Sequence, residues 1–245
     1  MDILKCVNFG THYFEIAATL RESILINGML TNCEVWYGLT EIEIGQLEEV
    51  DRLLLRQVFN VAGSCPIEAL YLELGCVPIR QVIKSRRLNY LHHLVTRNKS
   101  EMVFKFFMAQ WNYPAGKNEW TEQTRSDLKE FGIENSLEWI QAKSKLTLKN
   151  LVKKRAKEVA FEWLITKKKG HSKMNNLSYS TLEMQDYLKK SIAQAKILFR
   201  ARTRREKFGK NFKGTIKSNP AQYVRRAWTP RATASSAKWY QENVS

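Results

Sequence analysis

Apolar residues recur at steps of three and four along most of this chain, and almost no stretch alternates apolar with polar positions. Steps of three and four line up one stripe of a helix, whereas a half-buried strand needs a period of two. Glycine and proline number only 11 and 5 among 245 residues, too few to punctuate a series of short strands. The pattern predicts an all-α protein, an irregular helical bundle. Hydrophobic residues make up 44% of the chain, enough to fill a core, so a collagen, a coiled-coil rod or a wholly disordered chain is a poor reading.

The spacing predicts a first helix over 12–30, with Phe14, Ala17, Ala18, Leu20, Ile24 and Leu25 inward, and then a loop, TNCEVWYG. Thr40 and Glu43 have capping-box spacing and open a second helix whose stripe is Leu47, Val50, Leu54 and Val58, ended by Gly63. Ser64 and Pro66 start a short helix, IEALYLEL, closed by Gly75. In the next segment, IRQVIKSRRLNYLHHLVTR, Ile79, Val82, Ile83, Tyr90, Leu91 and Leu94 share a face, with Arg80, Lys84 and Arg87 at its edge. Gln81, Ser85, Asn89, His92 and Thr96 make the opposite face, polar but uncharged. Phe104, Phe106, Phe107 and Trp111 of the following aromatic helix read as core, and YPAGKN is the clearest internal turn. Further helices are expected near 120–131, 137–141, 146–168 and 189–207, the longest burying Leu148, Leu151, Val152, Val159, Ala160 and Trp163 before KKKGHSKMNN breaks the pattern. The domain reading is 1–113, 118–207 and a disordered basic C-terminal tail, 208–245, whose Asn, Pro, Thr and Ser carry no periodicity.

The net charge of +16 is unevenly placed: residues 1–78 carry −7 and residues 79–245 carry +23. A positive field of that size favours polyanions, nucleic acid first and an anionic membrane surface second. No stretch approaches the roughly 18 apolar residues of a membrane helix, and the N-terminus lacks a basic stretch leading into an apolar run. An intracellular protein, nuclear or cytoplasmic and not membrane-bound, is expected. Cys6, Cys33, Cys65 and Cys76 form no C-x-x-C and read as free thiols. His12, His92, His93 and His171 fall in no motif that ties them to a cysteine or serine, and the adjacent pair His92 and His93 projects about 100° apart on a helix, which is poor for sharing one metal. There is no P-loop, G-x-G-x-x-G, H-E-x-x-H or Asp-Asp pair. The sequence thus points to no catalytic site, no metal and no cofactor, and to binding.

Residues 189–231 hold 14 Lys and Arg against Glu206 alone, among them Lys196, Arg200, Arg202, Arg204, Arg205 and Lys207 on the last expected helix. Phe208, Phe212, Tyr223 and Trp228 lie between the cations where unpaired bases could stack; the other reading is a solvated tail without a partner. Arg80, Lys84, Arg86 and Arg87 either line a groove for phosphates or are neutralised internally by Glu49, Asp51, Glu68 or Glu73. Lys153, Lys154, Arg155 and Lys157 read as a charged outer helix face, with a nuclear-import run as the rarer alternative.

Two stretches, HYFEIAATLRESILINGMLTNCEVWYGLTEIEIGQLEEVDRLLLRQVF and ALYLELGCVPIRQVIKSRRLNYLHHLVTR, resemble the region just after the catalytic palm in reverse transcriptases of non-LTR (LINE-type) retrotransposons. The likeness runs over about 8–208, and its most specific phrases are ILINGMLTNCEVWYG, LYLELGCVPIR and SRRLNYLHHL. It implies a helical thumb and linker that grip a template–primer duplex, with Arg80, Lys84, Arg86 and Arg87 on nucleic acid, whether RNA, DNA or hybrid, at low sequence specificity. It also implies a palm domain as a possible partner for the acidic head. The polymerase and endonuclease portions of that family have no counterpart here. After Arg205 there is no Cys or His where the family carries a zinc motif, and beyond about Gly209 the likeness ends. A non-catalytic nucleic-acid-binding fragment is therefore the expectation, with a protein-docking module or a remnant without function as alternatives.

Overall fold

A computed structural model describes residues 12–61, 63, 65–113, 119–169 and 177–203, and every regular element among them is helical. The first helix is α1, Tyr13–Leu20; it continues as a π turn, Arg21–Ile26, and one α turn, α2, Asn27–Met29. The left-handed Asn32 ends this run and a 3-10 turn follows at Cys33–Val35. Thr40 then caps α3, Glu41–Phe59: its hydroxyl accepts from the Glu43 N–H while the Glu43 carboxylate accepts from the Thr40 N–H. These bonds also hold the Glu43 carboxyl below the usual carboxylate range. Next come α4, Ile67–Leu74, closed by the left-handed Gly75, and α5, Ile79–Val95. The chain goes on through α6, Met102–Asn112; α7, Trp120–Glu130; α8, Leu137–Ala142; and α9, Lys145–Lys168. A 3-10 turn at Asp186–Lys189 and α10, Ile192–Arg202, complete the described residues.

Length explains how α9 organises the packing. Its 24 residues span about 36 Å at 1.5 Å per residue, and its buried side chains, Leu148, Val152, Ala156, Ala160 and Leu164, fall every fourth position. Leu148, Val152 and Ala156 join Leu91, Val95, Phe107, Trp111, Leu128 and Ile140 in one core. Ala160 and Leu164 join Phe14, Leu55, Phe59, Leu70, Leu72, Leu188 and Phe199 in another. A smaller cluster of Ile26, Leu30, Cys33, Ile79 and Ile83 sits where α2 meets the start of α5. Since α9 packs along α5 and α4, and α5 also packs on α6, α7 and α8, the described residues on either side of the turn expected at YPAGKN form one compact unit.

Several inward faces differ from those the periodicity predicts. On α3 the buried residues are Leu55, Val58 and Phe59 together with Glu48 and Asp51, while Val50 faces out. Two carboxylates occupy the inner face because arginines meet them there, so counting only apolar residues misplaces the stripe. On α6, Phe107 and Trp111 are buried, Phe104 is half-buried and Phe106 points outward. The last helix is shorter than 189–207: Lys189 lies in the preceding 3-10 turn, and α10 begins after Ser191. Residues 114–118, most of KKKGHSKMNN, Cys6, His171 and the tail 208–245 lie outside the described residues. Among those described, no helix is long and apolar enough to cross a membrane.

Candidate nucleic-acid interface

The cations of α5 lie at the edge of its apolar face, as their spacing predicts, but carboxylates and carbonyls already occupy them. Arg80 donates from Nε and Nη2 to Glu48 at 2.8 and 3.3 Å, and from Nη1 to Glu41 at 3.2 Å, with Trp163 stacked 4.8 Å from the guanidinium. Half-burial opposes the charge on Arg80, yet Glu48 and Glu41 outweigh it and hold its pKa above the usual value. Lys84 pairs with Glu130 at 2.5 Å. Arg86 donates to the Leu30 carbonyl at 2.8 Å and to Asn27 Oδ1 at 2.5 Å, satisfying acceptors at the end of α2. Arg87, only 5% exposed, donates to Asp127 at 2.7 Å and to the Trp36 carbonyl at 2.9 Å.

The internal-pairing reading of these four residues thus finds its partners, though not the expected ones. Asp51 takes Arg21, through two bonds of 2.6 Å, and also accepts from Tyr71 at 2.7 Å. Glu73 takes Arg202 at 3.0 Å and Tyr179 at 2.7 Å; Glu49 takes Arg52 and Arg56, each at 3.2 Å. A guanidinium fork suits such buried carboxylates because it delivers two donors in one plane. A phosphate approaching Arg87 would have to displace Asp127 from an interior position.

On α10, Lys196 stacks over the Tyr13 ring at 4.9 Å, and burial, with Arg200 nearby, pulls its pKa down. Arg200 donates to the Asn60 carbonyl at 3.3 Å. Arg202 lies against the rings of Tyr179 and Tyr187, 5.9 and 5.4 Å away, while it holds Glu73. Arg204, Arg205 and Lys207 lie outside the described residues. The histidines are also engaged: His92 Nε2 meets the Lys143 carbonyl at 2.9 Å and His93 meets Arg97 at 2.7 Å. Among the described residues no group of three or more His, Cys, Asp or Glu comes together as a metal site.

Cations without such partners concentrate on α9. Lys145, Lys149 and Lys153 are exposed, Lys157 is half-buried, and none of the four makes an ion pair among the described residues. Each follows a buried residue of the Leu148, Val152, Ala156 series or precedes it by one turn, so the row winds alongside the buried stripe, about 100° around the helix from it. Successive lysines stand about 6 Å apart along the axis, and the row covers about 18 Å. Lys154 and Arg155 sit apart from it, both turned to Glu158, at 3.9 and 2.8 Å. An import receptor reading an extended basic run would have to unwind a helix that is buried along its other side. The row was visible in the sequence as lysine at every fourth position, but that spacing alone also describes an ordinary solvated face.

Comparisons with protein-family models, with curated proteins and with solved structures find no match to this chain.

Proposed function

We propose that this chain is a non-catalytic nucleic-acid-binding module that holds phosphates through Lys145, Lys149, Lys153 and Lys157 on α9, with little sequence preference. The observation that carries this reading is the contrast in pairing: Arg21, Arg80, Arg87 and Arg202 are matched to carboxylates, and the α9 lysines are not. A lysine is a hydrated point charge on a flexible stem, suited to the backbone of a polyanion and not to reading bases. The net charge of residues 79–245 and the resemblance to the thumb and linker of LINE-type reverse transcriptases support the same partner. Arg204, Arg205 and Lys207 extend the proposed contact by composition.

The test is the anisotropy of a labelled RNA–DNA hybrid titrated with the full chain across a salt series, beside a variant with the four α9 lysines changed to Gln. Four lost phosphate contacts lower the magnitude of the log–log salt slope by about 3. A slope unchanged in this variant but lowered by Arg204→Gln, Arg205→Gln and Lys207→Gln together would move the site to the C-terminal segment. Salt-insensitive binding would remove the reading altogether.

A second reading, docking of the acidic head on a palm domain, is favoured by the exposed Ile42, Val50 and Leu53 on the outer side of α3. It predicts a complex with a separately expressed palm domain of a LINE-type reverse transcriptase, lost on Ile42→Asp with Leu53→Asp.

A further inference from the structure

Helix α6 is apolar on two opposite sides, with Lys105, Gln110 and Asn112 between them. Phe107 and Trp111 are buried against α5 and Trp120, and Phe104 and Met108 flank them half-buried. On the other side, Met102 (66% exposed), Val103 (51%), Phe106 (66%) and Tyr113 just past its end (83%) face solvent, with Ala109 between them. At 100° per residue, Met102, Phe106, Ala109 and Tyr113 fall within about 60° of one another, and Val103 lies at the edge. A surface helix of a globular protein shows one apolar stripe and one polar face; a helix apolar on both sides is one that is covered on both. Among the described residues, neither the packing nor the α9 lysine row gives these side chains a partner.

Charge and area narrow what covers them. Residues 96–113 carry Arg97, Lys99 and Lys105 against Glu101, and Arg97 already holds Glu101 at 3.3 Å. Lys99 and Lys105 are exposed and make no ion pair among the described residues, and Lys105 stands on the shoulder of the apolar stripe. A second copy of this face would bring those lysines against their own kind. Five side chains from each partner bury several hundred Å² in all by the usual yield of about 25 residues per 800 Å² side, too little for a stable dimer and in the range of a weak, transient complex with a separate helix. The helix is 11 residues long, about 16 Å, which matches three turns of an incoming helix.

We infer that the outer face of α6 is a docking surface for an acidic amphipathic helix of another protein. The partner supplies apolar anchors at i, i+4 and i+11, the spacing of Met102, Phe106 and Tyr113 themselves, and carboxylates to Lys99 and Lys105. Such helix-in-groove recognition draws its affinity from a few buried anchors and its orientation from the flanking charges. Because the anchors on this side are already exposed, their substitution leaves the fold intact, which separates loss of docking from loss of structure.

The experiment titrates the full chain into a labelled, hydrocarbon-stapled helix bearing Leu, Phe and Leu at i, i+4 and i+11 and Glu on its flanks. Micromolar binding is expected, weakened at least tenfold by Phe106→Ala with Met102→Ala, and severalfold by Lys105→Glu, with helical circular dichroism unchanged. The four-lysine α9 variant should bind the helix as the parent does. No binding, or binding unaffected by the α6 substitutions and abolished by the α9 ones, would overturn the inference. Sedimentation equilibrium of the chain alone closes the remaining route: a dimer abolished by Phe106→Glu would make a second copy the occupant and equally overturn it.

Discussion

Replacing Arg87 by Met separates an internal role from a nucleic-acid role for the α5 cations. The substitution keeps most of the stem and removes the guanidinium, so it deletes the 2.7 Å bond to Asp127 and the 2.9 Å bond to the Trp36 carbonyl. With Arg87 5% and Asp127 4% exposed, a carboxylate is stranded in the interior. Breaking a buried pair in this way costs about 3–5 kcal/mol. In a unit of this size that lowers the melting temperature by roughly 10 °C. Urea unfolding followed by helical circular dichroism at pH 7 measures the loss. The loss should shrink toward pH 5, since a stranded carboxylate without its arginine takes up a proton more readily. Arg87→Met combined with Asp127→Leu should recover much of it by replacing the pair with apolar groups. An Arg87→Met protein as stable as the parent but much weaker in nucleic-acid binding would refute the reasoning and return Arg87 to a phosphate groove.

Burial pushes the Asp127 carboxyl up to about 6, with Arg87 and Lys84 pulling it down. Its folded value lies above the ordinary 3.8, so its contribution to stability is present below about pH 4 and is lost as pH rises to 6; relative to Asp127→Asn, the parent should lose about 3 kcal/mol over that range. A carboxyl-carbon NMR midpoint below 4 would show that Arg87 outweighs burial. Gly75→Ala should destabilise by more than the roughly 1 kcal/mol of a left-handed alanine, because φ is +69° and a Cβ there overlaps the backbone of Glu183 and Met184. Limited proteolysis should then cut first within 177–203. Arg80→Lys, which keeps the charge, should still cost 1–2 kcal/mol in urea unfolding, roughly what a charged hydrogen bond contributes, since one ammonium cannot both fork Glu48 and stack flat on Trp163.

The helices were legible where local chemistry sets them. The Thr40–Glu43 box and the Gly75 cap act over three residues and one residue, and sequence spacing displays both. Pairing was not legible because it is non-local: Arg80 meets Glu48 across 32 residues, Arg87 meets Asp127 across 40 and Lys84 meets Glu130 across 46. Spacing placed Arg80, Lys84 and Arg87 on the right edge of α5 and carried no information about what faces that edge. The same limit misassigned Phe106. Four aromatics in eight residues suggest a core helix, but only the neighbours of α6 decide that Phe107 and Trp111 are covered and Phe106 is not.

The uneven charge of the sequence acquires a structural meaning from these pairs. Part of the acidic first third is taken up by internal pairs; Glu41, Glu48 and Glu73 reach across to arginines from later in the chain, and Asp51 holds Arg21 of its own segment. Each such contact removes an arginine from the cations available to a ligand and uses it to join helices that are distant in sequence. Among the described residues, the cations left without a carboxylate are mainly lysines, and their longest regular run is the α9 row. A carboxylate placed among those lysines would form an exposed pair of little value to stability, about 0–1 kcal/mol, while cancelling a phosphate contact. The division of labour between the two cation types follows from their chemistry: planar forks are fixed inside against carboxylates and aromatic rings, and flexible ammoniums are left outside, where a polyanion of variable geometry can meet them.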